Sequence, residues 1–201
     1  MKRLRLWLSL SAGILAVVGT LFYLAHQGVF DDWGPAPEAA VRTGDAQAGS
    51  GPRVRGGVAP YPARAFELAD LAGSKHRMAE FQGKVVLLHF WASWCPPCVE
   101  EIPELMKFTR KLADASRVVV VAVSMDRSWE DAGTVLKPKD LPANLVSLLD
   151  PRSEVPEKYG SYQFPETYLI DPELRVVAKW VGVQKWADPY YETEIRRLVA
   201  Q

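Results

Sequence analysis

The chain carries two cysteines in 201 residues, three positions apart in Cys95-Pro-Pro-Cys98. A pair at that spacing can cycle between dithiol and disulfide, supply half of a metal site, or form an inert structural disulfide. A tetrahedral metal site needs three or four ligands. The imidazoles on offer are His26, His76 and His89, which are scattered along the chain. An inert disulfide that closes so small a loop gains little chain entropy. The flanking sequence favours redox exchange. The thiolate is the nucleophile in that reaction, and the free amides and dipole of a helix N-terminus favour it. Pro96 and Pro97 suit a first helical turn, where amides have no partner within the helix. The spacing therefore predicts a helix starting after Cys95. Cys95 is then the attacking thiol, and Cys98, one turn inside, is the resolving thiol that releases a mixed disulfide.

The elements that must position this pair follow from the apolar pattern. Val85 to Phe90 is continuously apolar except for His89, as expected of a central strand covered on both faces. A helix is predicted from Pro96 to about Ala113, with Ile102, Leu105, Met106, Phe108 and Leu112 on its core face and a kink at Pro103. Val118 to Val123 reads as a second buried strand, parallel to the first through a right-handed crossover. The remaining expectations are a strand over 65–70, turns over 73–76 and 81–84, and a helix over 128–136 capped by Ser128. A short strand over 145–149 and a short helix over 154–159 come next. A hairpin of 166–170 and 174–181 around Asp171-Pro-Glu leads to a closing amphipathic helix over 189–199. No internal repeat is visible.

Composition narrows the class. The 24 basic and 24 acidic residues cancel, and no basic stripe lies beyond the N-terminus, so nucleic-acid binding has no electrostatic footprint. Leu6 to Ala25 is an apolar run of about twenty residues, enough for ~30 Å of hydrocarbon. Lys2, Arg3 and Arg5 precede it, which places the N-terminus in the cytoplasm and the rest of the chain outside. A cleaved signal peptide is the competing reading, but the run is long and Leu24-Ala-His-Gln-Gly-Val-Phe30 matches a cleavage site poorly. The expected organisation is a cytoplasmic tip and transmembrane anchor over 1–30, a flexible tether over 31–60, and the catalytic domain over 61–201. A tether of that length spans on the order of 30 Å.

Three segments carry a family likeness. Phe90-Trp-Ala-Ser-Trp-Cys-Pro-Pro-Cys98, Pro103 and Phe164-Pro-Glu-Thr-Tyr-Leu-Ile-Asp171 resemble the thioredoxin superfamily. More narrowly, they resemble the membrane-anchored, TlpA/ResA-type extracytoplasmic thiol-disulfide oxidoreductases and their CcmG or DsbE relatives. The likeness covers about residues 61 to 201. It implies an α/β thioredoxin fold, a central mixed sheet flanked by helices. It also implies a cis Pro165 facing the cysteines, with the Phe164 backbone, Pro96 and Pro97 forming a groove for substrate chain. Glu101 and Glu166 match acidic positions near the site, where either could accept a proton from Cys98; for Glu101 a solvated surface role competes. His89 stands where thioredoxins carry a buried aspartate and this subfamily often has asparagine. It is either a neutral proton shuttle or an inert core histidine. Trp94 is expected to cover the sulfur and offer an apolar docking surface, and Trp91 to be core.

The resemblance implies reduction of disulfides in exported proteins, such as apocytochrome c or copper-site proteins. The electron donor would be a membrane protein of the DsbD or CcdA kind, and the location the bacterial inner membrane with the domain in the periplasm. No cofactor or metal is implied. An oxidase or isomerase, a peroxide reductase, or a non-catalytic chaperone or metallochaperone are the alternatives.

Overall fold

The computed structural model describes residues 59–200. The run Leu6–Ala25 and nearly all of the expected tether lie outside them. Among the described residues no helix is long and apolar enough to cross a membrane.

Three strands form the parallel heart of the sheet: β4 (Val85–Trp91), β5 (Val118–Ser124) and β6 (Leu145–Leu149). Every residue of β4 and β5 is buried, as their apolar sequences require. Between β4 and β5 runs α1 (Pro96–Lys111); four of the five expected core residues lie in it, the fifth, Leu112, is its C-cap, and all are buried. Pro103 lies inside α1, where it lacks the amide that would bond one turn back. On the other side of β4, β7 (Glu166–Ile170) and β8 (Arg175–Val181) add the antiparallel hairpin. The hairpin turn is held by Asp171, whose Oδ1 accepts from the amides of Glu173 and Arg175.

Three short strands extend both edges. β1 (Tyr61–Pro62) pairs with β8, while β2 (Glu67–Ala69) and β3 (Lys75–Arg77) extend the sheet beyond β6. The full order is β1-β8-β7-β4-β5-β6-β2-β3. Two expectations change here. Lys75 and His76 belong to an edge strand rather than a turn; the turn is confined to Asp70–Ser74, where the Asp70 side chain accepts from the Ser74 amide. The helix expected over 128–136 shortens to α2 (Trp129–Gly133), although Ser128 caps it as predicted, accepting from the Asp131 amide at 3.2 Å. α3 (Glu154–Lys158) and α4 (Pro189–Val199) stand where the pattern placed them.

The helices cover opposite faces of the sheet. Phe108 of α1 stacks on Trp186 at 5.3 Å, and Trp186 meets Trp180 of β8 edge-on at 6.0 Å. Tyr191 of α4 also packs on Trp180, at 5.2 Å. Trp180 is the cross-strand partner of Thr167, which is the partner of His89, so these three side chains share the face covered by α1 and α4. Phe90, Glu166 and Tyr168 point to the other face, where Tyr159, beside α3, packs on Phe90 and Tyr168.

Candidate active site

β4 ends at Trp91 and the chain crosses to α1 in four residues, Ala92 to Cys95. Asp126 pins that crossing. The Ser93 amide donates to both of its carboxylate oxygens at 3.1 Å, and the hydroxyls of Ser93 and Ser124 donate at 2.7 and 2.6 Å. Asp126 is buried, and nothing in the sequence analysis singled it out. The available signal was its position, just past the carboxyl end of the strand beside the one leading into Cys95.

Cys95 is the N-cap of α1. Its Sγ accepts from the Cys98 amide at 3.3 Å; Pro96 and Pro97 have no N–H, so this single first-turn donor meets the sulfur that must carry negative charge during exchange. The two cysteines are joined as a disulfide with Cα atoms 5.3 Å apart, well within bonding range. Cys95 keeps 6% of its surface exposed and Cys98 none.

The Phe164–Pro165 peptide bond is cis, and the Phe164 carbonyl oxygen lies 3.7 Å from Cys95 Sγ. Gly182 holds this segment from behind, its amide donating to the Pro165 carbonyl at 2.9 Å from a left-handed backbone that suits glycine. Trp94 is 62% exposed and meets Phe164 edge-on. With Tyr162, Val181 and Val183, it makes four of the five exposed large apolar side chains among the described residues; Tyr162 lies two residues before Phe164, and Val181 and Val183 flank Gly182, which bonds Pro165. Pro96 and Pro97 are exposed beside them. Trp91, by contrast, is fully buried core.

The two acidic candidates differ sharply. Glu101, one helical turn past Cys98, is 2% exposed, so the solvated-surface reading fails. Its Oε1 accepts from Trp186 Nε1 at 2.6 Å and from the Gln184 amide at 3.0 Å, while Oε2 has no partner. Burial pushes its pKa up to about 7, with Glu104 adding to the rise and the two hydrogen bonds opposing it. Glu166 lies on the other face of the sheet. Its Oε2 accepts from Ser161 and Tyr168, and Oε1 pairs with Lys179 Nζ at 3.0 Å. His89 is fully buried; its Nδ1 meets Thr167 Oγ1 at 2.9 Å and its Nε2 has no partner. Desolvation lowers its pKa to about 3, so the imidazole is neutral across the working range. Among the described residues no group of three or more His, Cys, Asp or Glu side chains could hold a metal ion.

The AhpC/TSA family profile matches residues 60–179. The chain belongs to the AhpC/TSA family. Within it, the chain is 30% identical over 119 residues to the thiol-disulfide oxidoreductase ResA of Bacillus thuringiensis subsp. konkukian, a match covering 59% of this chain and 67% of ResA. It is 33% identical over 145 residues to the thiol:disulfide interchange protein DsbE of Allochromatium vinosum, covering 70% and 75%. Among solved structures it resembles a protein from Chlorobium tepidum assigned as a DsbE, with a TM-score of 0.60, 30% identity, and coverage of 73% of this chain and 99% of that one. The thioredoxin domain of a Bacteroides vulgatus thiol-disulfide oxidoreductase gives a TM-score of 0.57 at 31% identity, covering 69% and 96%. The α/β fold is thioredoxin-like, and the protein is a thiol-disulfide oxidoreductase with a Cys95–Cys98 redox pair.

Proposed function

We propose that this enzyme works as a reductase of disulfides in exported proteins, held at the outer face of the bacterial inner membrane by Leu6–Ala25. The observation that carries the reading is the meeting of Cys95 Sγ with the Phe164 carbonyl inside an apolar rim, where an extended substrate segment could lie beside the sulfur. In the reduced enzyme, the Cys95 thiolate attacks a substrate disulfide and expels one substrate thiolate. Cys98 then attacks Cys95 Sγ, releasing the second substrate thiol and leaving the Cys95–Cys98 disulfide. Glu101, one turn away with one free oxygen, takes the proton from Cys98. A membrane dithiol donor of the DsbD or CcdA kind returns the two electrons. The basic residues before the apolar run Leu6–Ala25 support the extracytoplasmic setting, and the likeness to DsbE supports a substrate such as apocytochrome c. The function requires no cofactor.

The test is a full-length Cys98→Ser variant expressed in the cell. Without the resolving thiol, Cys95 should accumulate mixed disulfides with exported cysteine proteins, which a Cys95→Ser control loses. Absence of such adducts, alongside an inability of the reduced parent enzyme to reduce insulin, would reject the reading.

One further observation favours a second route for the proton. His89 Nε2 is buried without a partner on the α1 face of the sheet, so a relay through the imidazole competes with Glu101.

A further inference from the structure

Glu166 was expected to exchange protons with the dithiol, yet its surroundings are those of a tie. β7 alternates faces, so Glu166 and Tyr168 point away from the face that α1 covers, while Thr167 points toward it. Three elements converge on the Glu166 carboxylate. Ser161, from the loop after α3, donates to Oε2, and the Tyr168 hydroxyl lies 3.0 Å from the same oxygen. Lys179 of β8 closes on Oε1 at 3.0 Å while its ammonium sits 5.3 Å from the centre of the Tyr168 ring. The Tyr168 hydroxyl is 2.7 Å from Ser161 Oγ and 3.2 Å from the Tyr159 carbonyl. Every polar atom of this cluster is therefore held by others in it, and the Glu166 side chain is only 4% exposed. No oxygen is left open toward a sulfur.

What the tie restrains is the segment Ser161–Pro165. One end is fixed by Ser161 on Glu166 and the other by the Glu166 backbone in β7. Between them lies Phe164, whose carbonyl faces Cys95. Tyr162 and Gln163 are exposed, so little packing of their own holds that stretch.

We propose that Glu166 is a positioning residue. Its carboxylate, bound by Ser161, Tyr168 and Lys179, fixes the 161–165 loop so that the Phe164 backbone is set in advance for substrate chain beside Cys95. This deepens the proposed reductase reading and rests on it. A preset loop lowers the ordering cost of binding and leaves the thiol chemistry alone. The clamp therefore acts on KM for protein disulfides and not on the reactivity of Cys95.

The experiment compares the parent with Glu166→Gln, Lys179→Met, Lys179→Arg and Ser161→Ala. Readouts are kcat and KM for insulin reduction, the pH midpoint of Cys95 alkylation by iodoacetamide, and hydrogen exchange of the 161–165 amides. Glu166→Gln and Lys179→Met should raise KM about tenfold with kcat within about twofold. They should speed amide exchange in 161–165 and leave the alkylation midpoint in place. Lys179→Arg should restore the parent KM. Ser161→Ala, the mildest change, should move KM in the same direction by less and serves if the others fold poorly. An alkylation midpoint shifted by about one pH unit with KM unchanged would overturn the clamp in favour of an electrostatic role. Unchanged KM together with unchanged exchange would overturn it as well. If the parent enzyme itself leaves insulin intact, the reductase reading fails, and the exchange rates alone decide whether Glu166 holds the loop.

Discussion

Glu101, three residues after Cys98, and Glu166, next to the cis Pro165, are both buried carboxylates, and the sheet separates them. On the α1 face, Glu101 has two neutral N–H donors, one empty oxygen and no cation. On the α3 face, Glu166 has two hydroxyls and an ammonium group. Burial without a counter-charge raises the free energy of the ionised form, so Glu101 holds its proton to about pH 7. The pair teaches that position in the motif does not assign a role. Of two acids that look interchangeable along the chain, we propose one for moving a proton and the other for holding a loop.

The sharpest way to break that contrast is truncation. Glu166→Ala strands a partly buried ammonium and takes a charged acceptor from two buried hydroxyls, which keep each other and the Tyr159 carbonyl as partners, and should cost about 3 kcal/mol in urea unfolding. Glu101→Ala strands two N–H groups but also removes a carboxylate that is costly to ionise, so its loss at pH 7 should be about 1 kcal/mol. Equal losses would erase the distinction.

The next difference is in pH. In the unfolded chain Glu101 loses its proton near pH 4.5, whereas in the fold it keeps it to about 7. The folded state then binds the extra proton, so stability falls as pH rises between those values, by on the order of 3 kcal/mol. Glu101→Gln should remove that fall in denaturant midpoints measured from pH 4.5 to 8. A parent whose stability is flat over this window would contradict the assignment.

His89 gives a response of opposite sign and smaller consequence near neutrality. Its folded pKa is depressed to about 3, so the unfolded state binds the extra proton below about 6.5 and stability falls as pH falls. His89→Asn should flatten the acid side of the curve, by about 1.4 kcal/mol for each pH unit between 6 and 4. It should leave the pH profile of disulfide exchange unmoved if Glu101 alone carries the proton. A displaced profile would favour the imidazole relay.

How much of this could be read from the chain depends on the range of each interaction. The buried strands, α1 and the cysteine pair are local patterns, and Glu101 lies on the Cys98 side of the helix by spacing alone. The burial of Glu101 is a different matter, because its partners stand 83 and 85 residues away. Asp126 was missed for the same reason: its role depends on Ser93, 33 residues earlier. Lys75 and His76 look like part of a turn in the sequence because Lys75-His-Arg77 is polar throughout, as suits an exposed sheet edge where no apolar alternation is demanded. β1 is two residues long and exists only through its pairing with β8.

That short first strand has a practical meaning for anyone trimming the protein. Tyr61 pairs with Val176, the Ala63 amide donates to the Leu174 carbonyl at 2.8 Å, and the Tyr159 hydroxyl bonds both the amide and the carbonyl of Arg64. Residues 61–64 thus belong to the cooperative unit. A shortened protein beginning at residue 59 retains these contacts. One beginning at Ala65 would expose the outer edge of β8 and leave a mostly buried phenol without its partners, and it should melt earlier although every residue of the redox motif is present.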